Sequence, residues 1–340
     1  MKFDNFKGVI GVVSNDPSEV DLAVKNKLNC IEVRADLLIN IGFSIDEICK
    51  IVKTSRLKDL FCLFTLRHQK HGGKFFGTEK ERIQINKLAF EEGANCIDLE
   101  WGTEAEVEMN KEDIPLIISS HDFDSMPTND ELNKLTIDIE RHSPLAIKVV
   151  PTASEVAHSV QILNWVRGRT KNNICRIGFA MGKKGVCSRI LTTVFGSPIT
   201  YAAFGKEVAS GQISMEKTIN LYRVPKLERG CFIFGVAGED VNDSKSIILM
   251  NNYLKKKQIN AVSIPLEITN FEELFEIAED LKIIGVQLEY PLKEIVIKKL
   301  LKQGKIIKNS IFIEFFIDNG AMNYRIICSS GYSFLKKKYR

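Results

Sequence analysis

The run LAIKVV, residues 145–150, decides how this chain is read. It is almost wholly apolar and rich in strand-favouring side chains, the composition of a strand covered on both faces. Strands of that kind belong to parallel sheets flanked by helices. Lys148 interrupts the run. An ammonium taken out of water snorkels to the surface, finds a counter-charge or gives up its proton, so the lysine asks for an explanation from the rest of the sequence.

Working outward, seven further short apolar runs lie in the first 225 residues: GVIGVV (8–13), NCIEVR (29–34), LFCLFTLR (60–67), NCIDLE (95–100), IPLIIS (114–119), ICRIGFA (174–180) and SPITYAAF (197–204). Helical patterns fill most of the gaps. EKERIQINKLAFEEG (79–93) carries its charges on one face and offers Ile83, Leu88 and Phe90 for packing, and SEVAHSVQILNWVR (154–167) opens on Ser154 as its N-cap. Eight strand–helix units predict a (β/α)8 TIM barrel over residues 1–225 rather than an open sheet. VPKLERG (224–230) reads as a linker. Beyond it CFIFGVA, INAVSIPLEI and KIIGVQLEY alternate with helical stretches, which predicts a smaller α/β domain over residues 226–340.

A chain of 340 residues with 44% apolar composition has ample core. Its net charge of +4, mixed in sign along the chain, argues against nucleic acid, and no apolar run reaches the roughly 18 residues a membrane span needs. MKFDNFKGVIGVV shows no cleavable signal pattern, so the default location is cytoplasmic. The eight cysteines form no CxxC pair or Cys/His cluster, which predicts reduced thiols and no metal site.

A barrel places its chemistry at the C-terminal ends of its strands. There stand Glu32 and Arg34, Arg67, Asp98 and Glu100, His121, and Lys148 late in its own run. Singly, each has an ordinary explanation as an ion pair or a turn cap. Together on one rim they describe a site. A desolvated lysine among cations can form an imine with a ketone, an imidazole can shuttle protons near neutral pH, and arginines with carboxylates can hold an anionic polyol.

At these residues the sequence resembles the type I 3-dehydroquinate dehydratases, through EVRAD (32–36), FTLRHQKHGG (64–73), IDLE (97–100), SSHDF (119–123), IKVVP (147–151), MGKKGVCSRI (181–190), FGSPITYA (195–202) and SGQIS (210–214). The resemblance implies a lyase of the shikimate pathway, which supplies chorismate and the aromatic amino acids, with 3-dehydroquinate as its substrate. It implies Lys148 as the imine-forming lysine and His121 as the general acid/base. It further implies Glu32, Arg34 and Arg67 on the ring hydroxyls, Arg189 on the carboxylate, Gln212 on a closing loop, and no cofactor. A homodimer is left open. Two positions depart from the family pattern: His71 stands where a supporting Glu is usual, and Val208 begins a Val-Ala-Ser-Gly-Gln loop that usually reads Ser-x-Pro-Gly-Gln. Either another carboxylate, with Glu100 the candidate, orients His121 instead, or the enzyme is slower.

Residues 231–328 resemble, more weakly, the substrate-binding domain of shikimate dehydrogenase, through FGVAGEDVNDSKSIILMNNYL (234–254) and GVQLEYPLKE (285–294). That implies a second ligand site at Ser244, Ser246 and Lys293. Glu289 stands in place of a threonine and Asn323-Tyr324-Arg325 in place of Asn-Thr-Asp, and no strand–GxGxxG–helix unit follows residue 231, so dehydrogenase activity is not expected. Two other readings stay open: a non-catalytic scaffold in which both domains have decayed, and an aldolase-type barrel applying imine chemistry to another ketone.

Overall fold

The computed structural model describes residues 8–168, 170, 172, 174–205, 210–303, 310–318 and 321–338. Val208 lies outside them. Nine strands form the first sheet: β1 (Gly8–Val13), β2 (Cys30–Arg34), β3 (Phe61–Thr65), β4 (Cys96–Glu100), β5 (Leu116–His121), β6 (Ala146–Val150), β7 (Cys175–Gly178), β8 (Ile199–Ala203) and the short β9 (Ile213–Ser214). Between them run α1 (Glu19–Lys25), α2 (Ala35–Asn40), α3 (Ile45–Leu57), α4 (Glu79–Glu91), α5 (Glu104–Lys111), α6 (Asn129–Glu140), α7 (Val156–Arg167) and α8 (Val186–Phe195). All the pairings are parallel, in the order β7-β6-β5-β4-β3-β2-β1-β8-β9.

The sheet curls on itself as the eight-unit pattern predicts, with one qualification. Among the described residues no ladder joins β7 to β8; side chains meet near that seam instead, Phe179 against Tyr201 with ring centroids 5.6 Å apart. The interior is a packed cluster to which all eight strands contribute, including Ile10, Cys30, Leu63, Cys96, Ile117, Ala146, Ile177 and Tyr201. Because side chains alternate faces every second residue, the same inward rows continue as Cys30-Glu32-Arg34, Cys96-Asp98-Glu100, Ile117-Ser119-His121 and Ala146-Lys148-Val150. Each row starts apolar; three of the four end on an ionisable side chain, and the fourth carries Lys148 at its middle. Burial pushes the Cys62 thiol up to about 12, so it packs as a small hydrophobe.

The helices begin where local chemistry tells them to. Thr78 with Glu81 and Thr128 with Glu131 form capping boxes at α4 and α6. At α7 the expectation fails: Ser154 is not its cap, the helix starts at Val156, and the Val156 N–H donates to Glu273 Oε1 at 3.1 Å from the far end of the chain.

The second sheet has the order β11-β10-β12-β13-β14, from β10 (Phe232–Gly238), β11 (Ala261–Glu267), β12 (Ile283–Leu288), β13 (Ile311–Asp318) and β14 (Ala321–Ile327). The first three are parallel and the last two antiparallel. Its helices are α9 (Lys245–Lys256), α10 (Phe271–Asp280), α11 (Leu292–Lys302) and α12 (Gly331–Lys338). The antiparallel pair β13/β14 is absent from the sequence reading, which aligned Asn323 to Arg325 to a family motif; these residues belong to β14.

Most of the predicted linker, 224–230, is exposed, but the chain is anchored where it begins. Tyr222 and Val224 are buried, and the Arg223 guanidinium donates to the carbonyls of Ile259 and Ala261 at 3.3 and 2.8 Å. Helix α10 packs on α7 and strand β11 against α8, so one continuous apolar core runs through both sheets. None of the described helices is long and apolar enough to cross a membrane.

Candidate active site

At the C-terminal end of the curled sheet lies a cavity of about 350 Å³. It gathers all seven residues proposed for the first site, Glu32, Arg34, Arg67, His121, Lys148, Arg189 and Gln212. Strand register explains the convergence: Ser119 stands opposite Lys148 across β5/β6 and Thr65 opposite Asp98 across β3/β4, so late inward residues of neighbouring strands share one floor.

Lys148 is buried, and its neighbours are not the cations expected from sequence. Its Nζ donates to Asp98 Oδ2 at 2.8 Å, stands 3.9 Å from Glu32 Oε1 and lies 4.2 Å from the centre of the Tyr201 ring. Two-residue alternation puts Asp98 and Glu32, both expected on this rim, on the same inner face as the lysine. Asp98 is fixed in turn by Ser119 Oγ, which donates to its Oδ1 at 2.7 Å. Burial pushes the Asp98 carboxyl up, but Lys148 and Arg67 outweigh that and hold it below the usual carboxylate range. Glu32 accepts from Thr65 Oγ1 at 2.9 Å.

Arg34 is locked by a two-pronged pair with Asp36, both bonds 2.9 Å long. Arg67 donates its Nε to Glu100 Oε1 at 3.2 Å, while its buried NH2 has no hydrogen-bond partner among the described residues and stands 3.7 Å from Asp98 Oδ1. A buried donor left unspent is costly unless a ligand completes it. Arg189 stacks over Phe179 at 4.5 Å and reaches the Ser210 carbonyl at 3.4 Å. Gln212 is buried on the adjoining wall.

His121 closes β5, its ring stacked near Phe123 at 6.3 Å. Desolvation in the cleft, then the charges of Arg67, Lys148, Arg34 and His71, hold its pKa well below the usual imidazole value. Glu100 does not orient it. Both Glu100 oxygens are held by guanidinium groups, those of Arg67 and Arg82, and His121 Nδ1 is buried without a hydrogen-bond partner among the described residues. Phe123 overlies Gly72, which adopts a left-handed conformation (φ 76°); a Cβ there would come within 2.2 Å of the Phe123 ring.

The sequence reading missed Tyr201 and Phe179 as walls of the cavity and missed Arg82 altogether. Alternation along SPITYAAF already turned Tyr201 inward, so its signal was present; Arg82 sits among several charged residues of α4 and had none. Among the described residues no group of three or more His, Cys, Asp or Glu side chains could hold a metal ion.

The second proposed site is not assembled in the same way. Ser244 caps α9, accepting from the Ser246 N–H at 3.0 Å, and its Oγ donates to Glu289 Oε1 at 2.5 Å. Lys293 is half-exposed and stands 3.7 Å from Glu294.

The family model for type I 3-dehydroquinase matches residues 11–228, and that for the shikimate dehydrogenase substrate binding domain matches residues 236–304. A 3-dehydroquinate dehydratase of Dehalococcoides mccartyi is 33% identical over 217 residues, covering 62% of this chain and 93% of that protein. The chloroplastic bifunctional 3-dehydroquinate dehydratase/shikimate dehydrogenase of Arabidopsis thaliana is 28% identical over 271 residues; the match takes in 78% of this chain but only 44% of the plant protein. In fold the chain is similar to the 3-dehydroquinate dehydratase from Geobacillus kaustophilus (TM-score 0.58, 22% identity, 64% of this chain and 93% of that one). It is also similar to the dehydroquinate dehydratase and shikimate dehydrogenase from S. pombe AroM (TM-score 0.54, 21% identity, 95% of this chain and 65% of that one). A curled parallel sheet with a buried lysine at its C-terminal end and a family match over most of its length lead to one conclusion: the chain belongs to the type I 3-dehydroquinase family.

Proposed function

We propose that residues 1–225 catalyse elimination of water from 3-dehydroquinate through an imine on Lys148, giving 3-dehydroshikimate. The observation that carries this reading is Lys148 itself, a buried amine on the floor of a cavity large enough for a small ring and walled by guanidinium groups. An ammonium must shed a proton before it attacks a carbonyl, and the acceptors in reach are Asp98 Oδ2 at 2.8 Å and Glu32 Oε1 at 3.9 Å. Nζ then adds to the C3 ketone, and the carbinolamine loses water to give the imine. The iminium is an electron sink that acidifies C2. His121, neutral because of its depressed pKa, removes the C2 proton, and its conjugate acid can return that proton to the departing C1 hydroxyl, which leaves as water. Hydrolysis of the imine releases product and restores the amine, so the net change is loss of one water.

Arg34, held rigid by Asp36, and Arg67, with an unspent NH2, are suited to the ring hydroxyls, and Arg189, stacked on Phe179, to the carboxylate. We assign residues 226–340 to a structural partner rather than a dehydrogenase. The Ser244 hydroxyl is engaged by Glu289, whose carboxylate would face any anionic ligand brought there.

The test is reductive trapping. Incubation with 3-dehydroquinate and borohydride is expected to add the mass of the reduced imine to the peptide carrying Lys148. A folded protein that gives no adduct, or an adduct on Lys183 or Lys184, overturns the assignment.

A further inference from the structure

Arg82 has the largest fully buried side chain among the described residues, although it lies on α4, a helix otherwise read as amphipathic with its charges turned outward. A buried guanidinium must spend its donors, and each arm of this one is engaged. NH1 reaches Glu79 Oε1 at 3.2 Å. Nε donates to the carbonyl of Leu66 at 2.9 Å, and NH2 pairs with Glu100 Oε2. The last two converge on one residue. Leu66 precedes Arg67 in the chain, and the other oxygen of Glu100 holds the Nε of Arg67. From Arg82 inward the charges alternate in sign: Arg82, Glu100, Arg67, Asp98, Lys148, Glu32.

We propose that Arg82 is a positioning residue for Arg67. From outside the cavity it fixes both the main chain before Arg67 and the carboxylate that aims its guanidinium, leaving NH2 directed at the ligand. Such a residue acts on binding, because it sets where a donor points and leaves the lysine and imidazole where they are. The proposal rests on the reading that Arg67 contacts 3-dehydroquinate.

Three variants separate positioning from charge balance. Arg82→Met removes the far cation and strands Glu100; Arg82→Met/Glu100→Gln removes both charges and so restores balance; Arg82→Lys keeps the charge but cannot reach Leu66 and Glu100 together. For each we would measure kcat, KM for 3-dehydroquinate, Tm and adduct yield at saturating substrate. Arg82→Met is expected to raise KM about tenfold or more, with kcat within about threefold and the adduct still formed at saturation. The double variant is expected to recover Tm but not KM, and Arg82→Lys to fold normally with KM raised several-fold. A double variant that recovers KM along with Tm, or an Arg82→Lys protein with wild-type KM, overturns the proposal. If wild-type protein gives no adduct, the reading of the cavity fails and this proposal fails with it.

Discussion

Lys148→Ala is expected to lose turnover of 3-dehydroquinate by about 10⁵-fold or more, the scale on which enzymes fail when a covalent nucleophile is removed. Among the described residues lining the cavity no other supplies a primary amine: the rest are Glu, Arg, His, Gln, hydroxyl and apolar residues. Lys183, the next candidate along the sequence, is exposed and paired with Asp240 at 2.7 Å. The substitution also strips Asp98 of its closest counter-charge, so a loss of fold must be separated from a loss of chemistry. Lys148→Met, which keeps most of the side-chain volume, serves that purpose: circular dichroism should show a folded protein that neither turns over nor traps substrate. Measurable turnover by a folded Lys148→Ala protein would sink the imine mechanism.

Replacing His121 by Ala should cut kcat by about 10²-fold or more, the range for a lost general acid/base. The pH dependence gives an independent check. A base works while unprotonated, and His121 has its pKa held well below the ordinary value, so the acid limb of kcat/KM should fall below about pH 6.5 rather than at it. Stability carries the same sign. The unfolded chain takes up this proton near pH 6.5 and the folded chain only at lower pH, so between the two values the unfolded state binds more protons and stability rises with pH, levelling off above about 6.5. His121→Ala removes that contribution and should flatten the window. An acid limb centred at or above the ordinary imidazole value would remove His121 as the base. His71 also contributes to the lowering, so His71→Glu should move the limb toward higher pH.

Much of this arrangement was legible in the sequence because two-residue alternation is a strong constraint. Once GVIGVV, NCIEVR, NCIDLE and LAIKVV are strands of one parallel sheet, the late inward positions must share an end, and the charged residues there must meet. What alternation could not convey was pairing. Arg34, Arg67 and Lys148 looked like a cluster of cations, and only the three-dimensional layering shows Asp36, Glu100 and Asp98 interposed. Arg82 was hidden for a related reason: in EKERIQINK several charges share a helical pattern, and nothing local says which of them turns toward a buried carboxylate. The cap of α7 was beyond local reasoning, since Glu273 lies 117 residues from the N–H it accepts. The β13/β14 pair, by contrast, had a signal that went unused: Asn319-Gly320 separates two runs rich in β-branched and aromatic residues.

The shared core recasts what a boundary between these two sheets means. Along the chain the division is easy to draw, but no film of solvent separates the parts: α7 and α8 are wetted on one side by the second sheet's own hydrocarbon, and the first peptide N–H of α7 is satisfied from there. A cut near residue 230 would therefore create a new oil–water surface as well as a new terminus, and the interfacial tension would fall on the helix that begins six residues after the lysine strand ends. Whatever chemistry the second sheet has or lacks, it serves the first as part of its solvent.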